Sequence, residues 1–281
     1  MHNRRLTALK LMIITLFLLQ VTGAYAVGAF FANKSEQSEV YSPGVRAFIH
    51  RDGVREDLIL QIGFAGNASE FAWVVPVPSK PIVQAIDQAV FSELQNIFNP
   101  RILPPTQLGA SPQPVEEKIP DPVSFIQAEI IPPMQPHSIG TWLVANGYQF
   151  SDQARQLIEN YIKRGWYFIA LKVKTTPQAE PRWLQPLWIT FSSQRASFPA
   201  LLSTLNSKPM MVQLYVATTV AVKAPGFVEV STTGSPLGTK YKKGEMPNFF
   251  HVVTKDRILT ELRATVDPKS INADIVIVPK E

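Results

Sequence analysis

Ile62-Gly63-Phe64-Ala65-Gly66-Asn67-Ala68-Ser69-Glu70-Phe71-Ala72-Trp73-Val74-Val75-Pro76-Val77-Pro78 is the stretch on which the fold turns. Leu58, Leu60, Ile62 and Phe64 fall on one face of a strand, alternating with polar or small residues. Ala65 to Glu70 reads as a polar loop, and Phe71 to Val75, apolar on both faces, as a central strand. Pro76 and Pro78 have no N–H to donate. Two residues apart in an extended chain, their nitrogens face the same edge, so the strand ends there or leaves that edge unpaired. Upstream, Phe48 to Arg51 runs into Asp52-Gly53, which suits a tight turn with positive φ, so a hairpin leads into the stretch.

Downstream, Pro81 is placed to be the first residue of a helix. Ile82, Ile86, Ala89, Val90, Glu93, Leu94 and Ile97 mark its face, and Asn99-Pro100 ends it. Pro100 to Pro136 holds ten prolines and can be neither continuous helix nor central strand. It reads as an extended crossover with one short strand, Ser124 to Ile131, separating halves 27–131 and 137–281 of one domain. The second half opens with a short helix from Ile139 to Ala145, closed by Gly147. Ser151 caps the next helix, whose Ala154, Leu157, Ile158, Tyr161 and Ile162 form an amphipathic stripe ended by Gly165. Strands follow at Tyr167 to Val173, Leu187 to Phe191, Met211 to Val222, Phe227 to Val230 and Ile275 to Val278. Ile258 to Ala264 is readable as helix or strand. The class is α+β: mainly antiparallel sheets in two halves, with a few amphipathic helices.

The N-terminus reads as an export leader. Arg4, Arg5 and Lys10 precede an apolar run from Leu11 to Leu19, and Ala24-Tyr25-Ala26 ends it as a cleavage site before Val27. The expectation is therefore a signal peptide over 1–26 and a periplasmic or extracellular body over 27–281. The strong apolar run is about half the roughly 20 residues that a spanning helix needs. Retention of the leader as an anchor is the competing reading. Cleavage would leave 24 basic against 22 acidic residues, a net charge of +2, with no clustered basic face for nucleic acid. Lys240-Tyr241-Lys242-Lys243 reads as a solvated loop tip. The chain has no cysteine, which rules out disulfides, thiolate metal sites and a cysteine nucleophile. About 255 residues bury enough surface to fold without such staples.

Few residues offer catalytic chemistry. Beyond the leader, histidine is limited to His50, His137 and His251, with no metal-binding pair such as H-E-x-x-H. His50, beside the Asp-Gly turn, reads as a surface residue. No nucleophile elbow, phosphate loop, dinucleotide fingerprint or calcium loop is present, and no cofactor is expected. Glu70, beside Phe71 and Trp73, is the one carboxylate that suggests a glycosidase-like hydrolase, a chemistry that needs two acids. Trp142, Trp166, Tyr167, Trp183 and Trp188 enrich the second half in aromatics, and packing is their expected role.

The quoted stretch resembles the hallmark of the bacterial domain-of-unknown-function family 2330: a strand, a Gly-containing turn, then the run carrying Phe71, Ala72, Trp73, Pro76 and Pro78. Trp142-Leu143, Asn146-Gly147-Tyr148, Gly165 to Ala170, Leu184 to Leu187 and Leu259 to Arg263 continue the resemblance in order. Val27-Gly28-Ala29-Phe30-Phe31 stands where relatives carry a cysteine-bearing Gly-Gly-Phe-Phe motif. The resemblance implies export and supplies no activity or catalytic residue. The expectation is a non-catalytic envelope module that binds a protein or other envelope component, with a carboxylate-dependent periplasmic hydrolase as the alternative. N-terminal sequencing of protein recovered outside the cytoplasm is expected to start at Val27; an intact Met1 would remove the export reading.

Overall fold

The computed structural model describes residues 28–33, 39–99, 122–134, 138–194, 196–242, 244–253 and 256–280. The leader with Ala24, Ala26 and Val27, most of the proline-rich crossover, His137 and Lys243 lie outside the described residues. The first half contains β1 (Ala29–Ala32), β2 (Gly44–Asp52), β3 (Arg55–Gly66), β4 (Glu70–Val77), β5 (Ile82–Ala85), α1 (Ala89–Phe98) and β6 (Phe125–Ile131). The second contains α2 (Ile139–Ala145), α3 (Asp152–Lys163), β7 (Tyr167–Lys174), β8 (Gln178–Trp183), β9 (Leu187–Ser192), β10 (Met210–Thr218), β11 (Val228–Thr232), α4 (Pro247–Val252) and β12 (Ile258–Val266).

These strands form two principal sheets. The smaller has the order β1-β4-β7-β6. The larger has nine strands with the path β11-β12-β10-β2-β3-β9-β5, and β8 and Val40–Tyr41 add to the far end of β3. Both sheets take strands from both halves of the chain. Pairing within them is antiparallel except between β2 and β10, which run parallel from Gly44–Met211 to His50–Ala217.

Three apolar clusters turn the sheets into four layers. The facing sides of the two sheets meet in one core that includes Trp73, Val75 and Leu171 from one sheet and Leu58, Leu60, Ile189 and Leu214 from the other. The outer side of the smaller sheet, with Ala72, Val74, Phe168 and Ala170, is covered by α2 and α3 through Ile139, Leu143, Ile158 and Tyr161. The outer side of the larger sheet, with Phe48, Ile59, Trp188 and Tyr215, is covered by α1 and α4 through Phe91, Leu94 and Phe249. Two-sided burial explains why Phe71–Val75 has no polar face. Among the described residues no helix is long and apolar enough to cross a membrane.

The chain passes from one sheet to the other at Gly66–Ser69. Gly66 has φ +128°, and a Cβ there would stand 2.1 Å from the Glu39 carbonyl oxygen, so no other residue fits. Asn67 locks the corner: its N–H donates to the Glu39 carbonyl at 3.1 Å, and its side-chain oxygen accepts from the Glu39 N–H at 2.8 Å. The expected loop shortens accordingly, because Ala65 and Gly66 finish β3 and Glu70 starts β4. β4 then enters the middle of the smaller sheet. β1 pairs with it only as far as Val74, whereas β7 pairs through to Val77. The prolines thus fall where the strand's β1 side has no partner among the described residues. Gly28 lets β1 approach so closely that a Cβ would lie 2.3 Å from the Val74 carbonyl oxygen.

The helix expected from Pro81 is corrected. Pro81 does not start a helix: Ile82–Ala85 is an edge strand paired with β9, and α1 begins at Ala89, where the Asp87 carboxylate accepts the Ala89 N–H at 2.8 Å. Ile82 and Val83 are β-branched, and pairing with Thr190 and Ile189 outweighs the weak helical start at proline. Ile258–Val266 is a strand because β10 and β11 pair with it on both sides. The helix caps at Ser138 and Ser151 accept from Thr141 and Ala154.

Asp274 fastens the helical layer to the C-terminal segment. Its carboxylate accepts from the Tyr161 hydroxyl, from the Ala200 and Leu201 N–H groups at 2.8 and 3.1 Å, and from Arg164 at 2.8 Å. Asp274→Ala strands these donors and is expected to lower stability by about 3 kcal/mol in chemical denaturation. Asp152→Ala, which removes a fully solvated carboxylate, is expected to change it by about 0.5 kcal/mol or less.

Candidate functional site

The hairpin of β2 and β3 places three polar pairs in register: His50 with Asp57, Arg51 with Glu56, and Asp52 with Arg55. Next to β3, β9 sets Thr190 opposite Asp57 and Trp188 opposite Ile59. Asp57 is buried at the centre. It accepts from the Thr190 hydroxyl at 2.7 Å, the Trp188 indole N–H at 3.0 Å and the Arg55 guanidinium at 2.9 Å, and it lies 3.4 Å from the His50 Nδ1. Burial acts to raise its pKa, but the hydrogen bonds from His50, Arg55, Thr190 and Trp188 outweigh it and hold the carboxyl well below the usual carboxylate range.

His50 is therefore not at the surface as expected. Its cross-strand carboxylate replaces the solvent, and the ring is only 3% exposed. Asp57 is a poor general base: its lone pairs are occupied and its basicity is suppressed. Its role is positional, since it fixes the indole of Trp188.

Trp188 forms one wall of a surface cleft of about 470 Å³. Gln84 and Asp87 come from β5 and the link to α1, and Asn248 and His251 from α4. The α4 wall is held by Glu93, the single polar residue on the α1 face. Its carboxylate accepts from the Asn248 and Phe249 N–H groups at 3.2 and 2.8 Å, capping α4, and from the Asn248 side-chain amide at 2.8 Å. The His251 ring meets Trp188 edge to face at 5.3 Å. Among the described residues, the side chains of Gln84 and His251 and the side-chain carbonyl of Asn248 have no hydrogen-bond partner in the protein. Three polar groups capable of hydrogen bonding thus border one cleft beside a positioned indole.

The other nominated residues lie elsewhere. Glu70 starts β4 opposite Lys174, and its carboxylate accepts from the Tyr148 hydroxyl at 3.1 Å. Burial, then the charge of Glu70, pushes the Tyr148 pKa up. Trp73 is fully buried between the sheets, with Phe125 6.0 Å away. Trp166 and Trp188 are also buried, whereas Trp142, Tyr167 and Trp183 are half-buried. Lys240 and Lys242 are exposed, as the loop-tip reading required. No cluster of three or more acidic or histidine side chains placed to hold a metal occurs among the described residues. Gln84 and Asn248 had no sequence signal, because the cleft joins segments separated by more than 150 residues.

Removing Asp57 should unseat Trp188. Asp57→Asn is expected to cost about 3 kcal/mol and to change the near-ultraviolet circular dichroism of the tryptophans. Because the folded-state pKa is depressed, this stabilisation is fully present above the ordinary carboxylate range and is lost progressively as pH falls from that range towards the folded-state pKa. Acidification from about pH 5 to about pH 3 should therefore destabilise the wild type more steeply than the variant.

A family model described as "Uncharacterized protein conserved in bacteria (DUF2330)" matches residues 21–121 and 121–233. No curated protein matches the chain. Among solved structures, baculovirus P35 aligns over 89% of this chain and 100% of its own, at 11% identity and a TM-score of 0.45.

Proposed function

This chain belongs to the bacterial DUF2330 family, and we propose that it works outside the cytoplasm as a non-catalytic module that binds a cell-envelope component. The carrying observation is the Trp188 cleft, where Gln84, His251 and the Asn248 carbonyl have no protein partner. An amide, an imidazole and a carbonyl offer both donors and acceptors without a fixed charge, a set suited to a neutral, hydroxyl-rich ligand such as a glycan strand. The indole supplies an apolar edge beside them. Asp87 is the one carboxylate in this lining, whereas hydrolysis of a glycosidic bond by the usual route needs two. The leader read in the sequence supports the extracytoplasmic setting.

Loss of two hydrogen bonds of about 1 kcal/mol each weakens a complex roughly 30-fold. Co-sedimentation with purified cell-wall sacculi should show binding by the wild type and at least tenfold weaker binding by the Gln84→Ala, His251→Ala double variant. Both side chains are exposed, so the variant should keep the wild-type melting temperature. Equal binding by the two proteins would remove the cleft from the account, and release of soluble fragments would replace binding by hydrolysis.

A further inference from the structure

A second concavity lies on the same outer face of the larger sheet, beyond the edge of α1, and shares no lining residue with the Trp188 cleft. Side chains that share a register row point to the same side of a sheet. Here Trp183 of β8 pairs with Gly63 of β3, and Gly44 of β2 pairs with Met211 of β10. Gly63 and Gly44 are neighbours across the hairpin, since a Cβ on Gly63 would lie 3.3 Å from the Gly44 carbonyl oxygen. Two adjoining strands therefore present bare backbone between a tryptophan and a methionine. The result is a trough of about 270 Å³ with Pro43 and Pro181 at its rim. That is slightly below the usual range of roughly 300–1,000 Å³ for small-molecule sites, so any occupant is small.

The next register row closes the trough with Arg46 and Gln213. The Arg46 guanidinium carbon lies 4.1 Å from the Trp183 ring centroid and 5.9 Å from that of Phe91. Arg46 is half-buried, yet among the described residues it makes no hydrogen bond and no ion pair. Of the carboxylates on this face, Asp57 bonds to Arg55, and Glu261 bonds through Oε1 to Arg263 at 2.6 Å and to the Gln213 amide at 2.7 Å, while its buried Oε2 has no partner among the described residues. The Gln61 amide donates to the Leu184 carbonyl. A half-buried cation without a counter-charge opposes folding unless an anion compensates it. Burial lowers the Arg46 pKa, in keeping with that lack. Aromatic faces hold the guanidinium plane while leaving its N–H fork free, the arrangement that receives a carboxylate in bidentate fashion.

We propose that this trough binds a small organic carboxylate with a flat apolar body. The carboxylate bonds to Arg46, and the body lies over the Gly44 and Gly63 backbone between Trp183 and Met211. Arg182 pairs with Phe64, so its side chain projects to the opposite face and bonds to Thr175 at 3.4 Å, which leaves Arg46 as the cation of the trough.

The test is titration of the purified protein with benzoate, its neutral amide benzamide, and phenyl phosphate, followed by nuclear magnetic resonance. Benzoate is expected to shift resonances of Gly44, Gly63 and the Trp183 indole, with benzamide binding at least tenfold more weakly. Arg46→Met should weaken benzoate binding at least tenfold while leaving the melting temperature unchanged or raised, a combination that a structural arginine would not give. Arg46→Lys, which keeps the charge and loses the fork, should retain an intermediate affinity. Equal affinity for benzoate and benzamide, no binding of either, or a lowered melting temperature with unchanged benzoate affinity in Arg46→Met would overturn the proposal. Phenyl phosphate binding more than tenfold tighter than benzoate would overturn the carboxylate assignment in favour of a phosphate.

Discussion

The whole arrangement depends on one backbone crossing. At Gly66 the chain leaves the larger sheet through a conformation closed to any residue with a Cβ, and within four residues it enters the smaller one. That short passage delivers Phe71–Val75 to a position buried on both faces. The resulting burial is cooperative: Trp73 and Val75 face one layer, Ala72 and Val74 the other. Several of the residues that carry the family resemblance pack along β4, whereas Leu259 to Arg263 lie on β12 of the larger sheet. Gly28 rides against Val74, Tyr148 bonds to Glu70, and Phe168 to Val173 pair with β4. The contacts they make here are those of packing and close approach.

Local physics made part of this legible in advance. The Asp52-Gly53 hairpin, the Ser151-capped helix and the two-sided strand at Phe71 each have a strong short-range pattern, and each has the expected structure. The segment after Pro81 is ambiguous in sequence, because Ile82 and Ile86 fit a helical stripe as well as an edge strand, and only the distant partner β9 decides between them. The parallel pairing of β2 with β10 is likewise invisible locally, since it joins residues more than 160 positions apart. His50 looked like a turn-side surface residue. Its burial follows from the acid opposite it and from Trp188 and Thr190 on a third strand. The candidate cleft and the glycine trough both consist of side chains brought together by sheet order, so neither has a motif.

The larger sheet's outer face shows how polar groups are sorted. Its middle is apolar and covered by α1 and α4. On one side of that cover, Asp57 gathers four donors and stabilises the frame of the cleft. On the other side, Glu261 takes Arg263 and Gln213, while Arg46 rests on aromatic rings without an anion. Buried charge is costly unless matched. Asp57 therefore reads as part of the frame and half-buried Arg46 as a place for an anion, while Gln84 and His251 are solvent-exposed groups open to a ligand beside Trp188.

The crossing itself is the element to test. Gly53 and Gly66 both have positive φ, but a Cβ at Gly53 meets nothing within 4 Å, whereas one at Gly66 collides with the Glu39 carbonyl. Equilibrium unfolding of Gly53→Ala and Gly66→Ala separates backbone preference from the geometry of the passage. The account predicts a loss of about 1 kcal/mol at Gly53 and about 4 kcal/mol or more, or outright failure to fold, at Gly66. Equal, small losses at the two positions would show that the sheets do not depend on this corner.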